Sequence, residues 1–131
     1  MKRFEPIPYE TERVTTEVVD AAFKIHKTLG PGLLEAVYEA CMIHELHRRG
    51  FKVQTQVEVP IIYEGLRLAA DLKLDMLVEN QLIVELKSVN KMNPVFEAQL
   101  LTYLRLRGLR LGLLINFNVL LIKDGIKRVI L

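Results

Sequence analysis

The sequence predicts an α/β domain whose mixed β-sheet is covered by helices on both faces. In the first third of the chain, apolar residues recur at steps of three and four, which is typical of amphipathic helices. The middle third has short apolar runs separated by turn residues, which is typical of strands. A helical segment beginning at Pro94 then divides these runs from two further strand-like runs. The predicted order is two helices, three strands, one helix and two closing strands.

Composition indicates one soluble domain. The chain has 131 residues, of which 50% are apolar and 26% charged, so it can bury a substantial core. Residues 1–10, which include Pro6 and Pro8, predict an N-terminal arm, and residues 11–131 predict the domain. Cys41 is the single cysteine, which excludes an internal disulfide and a cysteine-built zinc site. Because no apolar run is long enough to cross a bilayer and no signal-peptide pattern is present, a cytoplasmic protein is expected.

Turn and capping residues set the predicted bounds of the elements. Gly30-Pro31-Gly32 stops the first helix, and Gly50 and Gly108 follow the ends of the other two. The predicted helices run over about 11–29, 33–49 and 94–107. The predicted strands run over about 51–62 (with a break at Pro60), 66–78, 82–88, 111–117 and 120–131, the last turning at Asp124-Gly125. The expected apolar stripes of the first two helices are Val14, Val18, Ala21, Ala22, Ile25 and Leu29, and then Leu34, Val37, Tyr38, Cys41 and Leu46.

The segment from Asp75 to Lys87 carries the strongest chemical signal. Alternation along a strand places Glu85 and Lys87 on one face and Leu86 on the other. If the turn before them is centred on Asn80, Asp75 lies directly across from Glu85, whereas a loop of even length would separate them unless a bulge intervened. Two adjacent carboxylates repel each other unless a cation lies between them. The pattern therefore predicts a Mg²⁺ site.

Two alternatives accompany this reading of the segment. Asp71 lies four residues before Asp75 on the same strand face and is an alternative or second acid. Glu85 and Lys87 are also compatible with a simple ion pair on an edge strand. In the catalytic interpretation, Lys87 either orients a water molecule or stabilises the charge of the transition state.

Motifs on both sides of this segment resemble one family. A G-x-x-E-x-x-Y motif is present as Gly32-Leu33-Leu34-Glu35-Ala36-Val37-Tyr38, and Glu85-Leu86-Lys87 follows Asp75 as a (D/E)XK element. Gln99-Leu100-Leu101-Thr102-Tyr103 has the form QxxxY. Together these motifs resemble the GxxExxY proteins of the PD-(D/E)XK nuclease superfamily, in its RecB-like branch. Gly112-Leu113-Leu114-Ile115-Asn116-Phe117 and Arg128 are also similar to that family.

The resemblance implies a restriction-endonuclease-like core and a Mg²⁺-dependent nuclease, with Mn²⁺ as a substitute ion and DNA rather than RNA as substrate. It also implies a role for each matching residue. Catalytic roles fall to Lys87, Asp75 and Glu85, metal binding to Glu35, Asp75, Glu85 and the backbone carbonyl of Leu86, and support of the site or substrate to Tyr38, Gln99 and Tyr103.

Two other functions stay open. Family members often carry a histidine where this chain has Phe96, and this departure favours a non-catalytic module that binds nucleic acid or protein. The apolar C-terminal segment from Arg128 to Leu131 is also suited to pairing across a homodimer interface. Neither the net charge of +2 nor the histidines decide between these functions, since the charge is small and His26, His44 and His47 lack matching carboxylate spacing.

Overall fold

The computed structural model describes residues 5–68 and 72–131. Its three α-helices are α1 (Tyr9–Leu29), α2 (Glu35–Arg48) and α3 (Pro94–Arg107). The strands are β1 (Val53–Glu58), β2 (Ile61–Tyr63), β3 (Leu66–Leu68), β4 (Lys73–Val78), β5 (Leu82–Lys87), β6 (Leu111–Asn116) and β7 (Ile126–Ile130), with a 3₁₀ turn over Ile122–Gly125.

Five strands form one mixed sheet in the order β1-β4-β5-β6-β7, and β2 and β3 form a separate hairpin. β1, β4 and β5 are antiparallel neighbours, β5 and β6 are parallel and joined by α3, and β7 returns antiparallel to β6. One face of the sheet packs on α1 and α2, and the other packs on α3. The predicted mixed sheet between two helical layers is therefore confirmed, as is the crossover role of α3.

α1 and α2 differ from their predicted bounds by one or two residues, and α3 agrees at both ends. α1 begins at Tyr9, so the last two residues of the predicted arm are helical. The bounds of α3 are those predicted, because Asn93 caps its first turn and Gly108 ends it with a φ of 70°. None of the helices in the described ranges is long and apolar enough to span a membrane.

The predicted apolar stripe of α2 was partly wrong. Leu34 lies outside the helix as its N-cap and is 77% exposed, and Val37 is exposed as well. The buried positions include two of the predicted residues, Tyr38 and Leu46. The others are Met42 and Glu45.

Two strand predictions were also wrong in extent. The expected strand over 66–78 divides into β3 and β4, which belong to different sheets. β2 and β3 instead meet at Glu64 and Gly65, whose φ values of 47° and 80° suit a two-residue hairpin turn. The expected strand over 120–131 is a strand only from Ile126, because the 3₁₀ turn brings Gly125 against the carbonyl of Asn116, where a side chain would clash.

Candidate active site

The hairpin between β4 and β5 has the predicted register. Its pairs are Met76 with Val84, Leu77 with Ile83, and Val78 with Leu82. The loop between the strands has three residues, and the φ values of Glu79 and Asn80 are 55° and 56°. The same register, extended by one step, sets Asp75 opposite Glu85. The prediction of a turn centred on Asn80 is confirmed.

At Asp75 and Glu85, hydrogen bonds to side chains continue the pairing of β4 with β5. The backbone N–H of Asp75 donates to Glu85 Oε1 at 2.8 Å, and the backbone N–H of Leu86 donates to Asp75 Oδ2 at 2.9 Å. Each carboxylate therefore replaces a backbone acceptor on the opposite strand. This exchange holds the two acids side by side.

The negative charge of Glu85 is unfavourable at its buried position beside Asp75. Its side chain is buried in the sheet, and burial raises the pKa of Glu85 to about 8, with the neighbouring charge of Asp75 as the second cause. The N–H of Asp75 and the ammonium of Lys87 oppose this rise without overcoming it. A cation placed between the two acids would relieve the same repulsion.

The alternation of side chains along β4 is interrupted at Asp75. Leu74 and Met76 are two residues apart, yet they pack in the cores on opposite faces of the sheet, whereas a regular strand would place them on one face. On the neighbouring strand β1, Gln56 stands across from Asp75 and has a φ of 50°. Asp75 is therefore placed where groups from both helical layers can approach it.

From one side, the first turns of α2 bring Glu35 and Glu39 to Asp75. Burial raises the pKa of Glu35, the Asp75 charge raises it further, and Lys87 lowers it. The pKa of Glu39 is raised by burial and then by Asp75, while a hydrogen bond from Gln56 Nε2 at 3.2 Å opposes the rise. The structure thus brings the predicted Glu35 into the electrostatic range of Asp75 and Lys87, together with Glu39, which the sequence analysis missed.

From the other side, α3 contributes Tyr103. Burial raises the pKa of the Tyr103 phenol, and the charges of Glu85 and then Asp75 raise it further, so the hydroxyl lies within electrostatic range of both acids. Gln99 is exposed on the same helix and lines a shallow surface pocket with Tyr103 and Leu72. Of the predicted pair, Tyr103 is therefore linked to the acids by charge, and Gln99 is linked to Tyr103 through this pocket.

Tyr38 does not face the acids. Its side chain is fully buried and stacks on Phe117, with the ring centroids 4.4 Å apart. Its hydroxyl donates to the carbonyl of Gly30 at 2.6 Å and accepts from the N–H of Leu33 at 3.2 Å. Tyr38 therefore fixes the loop that precedes Glu35, and it has no surface left for substrate.

A second tie joins the same loop to β5. The hydroxyl of Ser88, which directly follows Lys87, donates to the carbonyl of Leu33 at 2.6 Å. The loop before Glu35 is thus held by α2 from one side and by the end of β5 from the other. Sequence reasoning did not identify Ser88, and a lone serine after a strand gives no signal for this contact.

Lys87 extends from β5 to the first turn of α3. Its Nζ lies 4.2 Å from the centroid of the Phe96 ring, within the range of a cation–π interaction. Phe96 therefore contacts the residue to which the sequence assigns the chemistry.

The side chains of Asn116 and Arg128 connect neighbouring elements of the fold. The buried Asn116 side chain accepts from the N–H groups of Val89 and Asn118 and donates to the carbonyl of Val89, so it joins the loops after β5 and β6. Arg128 forms a bidentate ion pair with Glu12 and ties β7 to α1.

Comparison with known proteins agrees with this fold and arrangement. The sequence model of the PD-(D/E)XK nuclease superfamily matches residues 12–129 of the 131. The chain belongs to the PD-(D/E)XK nuclease superfamily. The match runs from α1 to β7 and therefore includes every element of the site. No curated protein and no solved structure matches the chain significantly.

Membership confirms the restriction-endonuclease-like fold and indicates a nuclease-type function on nucleic acid. PD-(D/E)XK nucleases generally depend on divalent metal ions, and the donors present suit such an ion. Asp75 and Glu85 are adjacent carboxylates that repel each other, and the carbonyl of Leu86 points to the same strand edge as its N–H, towards Asp75. Within residues 5–68 and 72–131, no three acidic, histidine or cysteine side chains are close enough to hold an ion, and both carboxylates are turned to backbone N–H groups.

Glu39 is the nearby acid that was not predicted from the sequence. Glu39 follows Glu35 by four residues, so helical spacing was a signal that could have identified it. The alternative acid Asp71 lies outside the described residues.

Proposed function

We propose that this protein is a Mg²⁺-dependent nuclease that hydrolyses phosphodiester bonds in DNA in preference to RNA. The observation that carries the proposal is the pair of adjacent carboxylates, Asp75 and Glu85, beside Lys87 on the sheet of a nuclease-superfamily fold. The GxxExxY and QxxxY motifs further support a place among the GxxExxY proteins and in the RecB-like branch. The preference for DNA depends on that resemblance.

We assign the metal site to Glu35, Asp75, Glu85 and the carbonyl of Leu86. A Mg²⁺ ion held there would supply Lewis acidity towards a phosphoryl oxygen and would lower the pKa of a bound water. In the protein, Asp75 and Glu85 fix each other through the opposite strand, and Glu35 stands at the start of a helix held by Tyr38. Tyr103 and Gln99 border the site from α3, where they support the acids and the bound strand.

Lys87 provides positive charge on the face of the sheet that carries Glu85. Its influence reaches both Glu35 and Glu85, whose pKa values it lowers. An ammonium placed this close to the metal ligands can stabilise negative charge that develops on a phosphoryl group. We therefore assign Lys87 to transition-state stabilisation or to orienting the attacking water.

The domain is proposed to occupy residues 11–131, preceded by an arm over 1–10, in a cytoplasmic protein. The sheet, the helices and the family match all fall between Tyr9 and Ile130.

The test is cleavage of matched DNA and RNA oligonucleotides with Mg²⁺, with Mn²⁺ and with EDTA. Lys87→Ala and Asp75→Ala are expected to lose cleavage while their circular dichroism spectra stay native. Lys91→Ala is the matched control, because Lys91 is an exposed lysine four residues from Lys87. Cleavage that persists in both site variants, or in EDTA, contradicts the proposal, and faster cleavage of RNA contradicts the substrate preference.

One observation favours a second candidate, a non-catalytic module that binds nucleic acid or protein. Asp75 and Glu85 already accept backbone N–H groups, so the pair can serve the hairpin alone. Titration calorimetry with Mn²⁺ on the wild type and on Glu85→Ala separates the two candidates. A site-dependent heat favours the nuclease, and the absence of heat in both favours the module.

A further inference from the structure

The Lys87 ammonium is held mainly by an aromatic ring. Its Nζ stands 4.2 Å from the centroid of Phe96, where a cation is attracted by the negative face of the ring. In the described residues, no carboxylate forms an ion pair with this ammonium. The nearby acids act on it only through their longer-range charge.

The ring is in turn fixed by the start of α3. Asn93 Oδ1 accepts from the N–H of Val95 at 2.9 Å, and the N–H of Phe96 donates to the Asn93 carbonyl at 2.9 Å. Pro94 occupies the first position of the helix. The Phe96 side chain also packs against the core between the sheet and α3. The ring is therefore a rigid support, whereas a lysine side chain has four rotatable bonds.

We propose that Phe96 is a positioning residue that holds the Lys87 ammonium at the catalytic face without neutralising it. A carboxylate in the same place would compensate the positive charge and occupy its N–H donors. A phenyl ring attracts the cation but takes up no strong hydrogen bond, so the N–H groups stay available for a phosphoryl oxygen. This inference rests on the proposed function and gives Phe96 a role in place of the histidine expected from the resemblance.

The first test separates the ring's π face from its bulk. Phe96→Tyr keeps the π face and Phe96→Leu keeps an apolar side chain without it. With a DNA duplex and Mg²⁺, Phe96→Tyr should retain the wild-type kcat, while Phe96→Leu should lower kcat by about 3- to 30-fold with little change in KM. A purely structural role would instead appear as a lower melting temperature, and a role in substrate binding would appear as a raised KM.

The second test does not need activity. In the full-length protein labelled with ¹³C-lysine, the ε-CH₂ resonance of Lys87, assigned by its loss in Lys87→Arg, should lie upfield because of the Phe96 ring current. The upfield displacement should persist in Phe96→Tyr and disappear in Phe96→Leu.

The outcomes distinguish the two proposals. A Lys87 resonance at the ordinary lysine position in the wild type overturns the positioning role. An upfield resonance with wild-type kcat in Phe96→Leu also overturns it. An upfield resonance in a wild-type protein that cuts neither DNA nor RNA overturns the proposed function but leaves the contact between Phe96 and Lys87 established.

Discussion

Glu85 is the residue in which stability and chemistry conflict most directly. Its folded pKa is about 8, above its ordinary value of 4.5, because burial and Asp75 disfavour its charge. Below about pH 4.5 both the folded and unfolded states carry the proton, so the group contributes no penalty. Between pH 4.5 and 8 the unfolded state releases its proton first, and the metal-free protein loses stability as the pH rises.

Glu85→Gln should remove this pH dependence. The amide oxygen can still accept the N–H of Asp75, and no buried charge forms. In EDTA, the wild type should lose up to about 1.4 kcal/mol of stability per pH unit between pH 5 and 8, and Glu85→Gln should lose clearly less. Urea unfolding at several pH values measures the difference, with the exposed Glu58→Gln on β1 as control. Parallel pH profiles for all three proteins would contradict the prediction.

The relation between the three hairpin residues of the site could be predicted because they lie close together in the chain. Asp75, Glu85 and Lys87 belong to one hairpin, so alternation and turn length were sufficient to relate them. The contact of Phe96 with Lys87 and that of Ser88 with Leu33 join separate elements. Such contacts depend on how layers pack, and no local pattern encodes that packing.

Among the elements, the loop between α1 and α2 explains the G-x-x-E-x-x-Y motif. Gly32 has a φ of 98°, a conformation that side chains rarely adopt. Tyr38 anchors both ends of the loop through Gly30 and Leu33. Glu35 begins the helix two residues after Leu33 and is thereby directed towards Asp75. In physical terms, the glycine permits the turn, the tyrosine holds it, and the glutamate is the group positioned.

Tyr38→Phe should therefore loosen this loop without disturbing the core. The stacking on Phe117 is preserved, but both hydrogen bonds of the hydroxyl are lost. We expect a loss of about 1–2 kcal/mol in the free energy of unfolding and a weaker apparent affinity for Mn²⁺. Urea unfolding and calorimetry measure the two effects. Tyr9→Phe, at a tyrosine that is 81% exposed, is the control and should change neither, and an unaltered Tyr38→Phe would refute the loop's role.

The elements that could be predicted well are those with explicit end signals. Asn93, Pro94 and Gly108 mark α3 on the sequence, and its bounds agree with the structure. The boundary between β3 and β4 has no such mark, because apolar residues continue on both sides while the chain passes from one sheet to another. Leu34 was wrongly predicted to lie on the apolar face of α2 for a related reason. Its spacing is helical, but it precedes the helix as the N-cap residue.

In the molecule as a whole, the β2–β3 hairpin stands apart from the core. None of its residues belongs to either of the two described core clusters. Tyr63 and Leu66 pair across the hairpin and are 65% and 60% exposed. Because an isolated two-stranded hairpin is marginal in water, its contribution to global stability should be small.

Replacement of these two side chains should confirm that stability resides elsewhere. Tyr63→Thr and Leu66→Thr keep residues that suit strands, and each should change the free energy of unfolding by less than about 0.5 kcal/mol. The fully buried Leu104→Ala, in the core under α3, should cost about 2–5 kcal/mol. Urea unfolding compares the three. A cost at Tyr63 or Leu66 similar to that at Leu104 would place the hairpin within the cooperative core.

The three-residue turn over 79–81 has a consequence for how this protein can change. Surface turns ordinarily tolerate insertions and deletions, and Asn80 is exposed. Here the number of turn residues decides which side chain of β4 stands opposite Glu85. Loss or gain of one residue would turn Asp75 to the face of Leu86, although no chemical group had been altered. The length of this exposed turn is therefore constrained by the site.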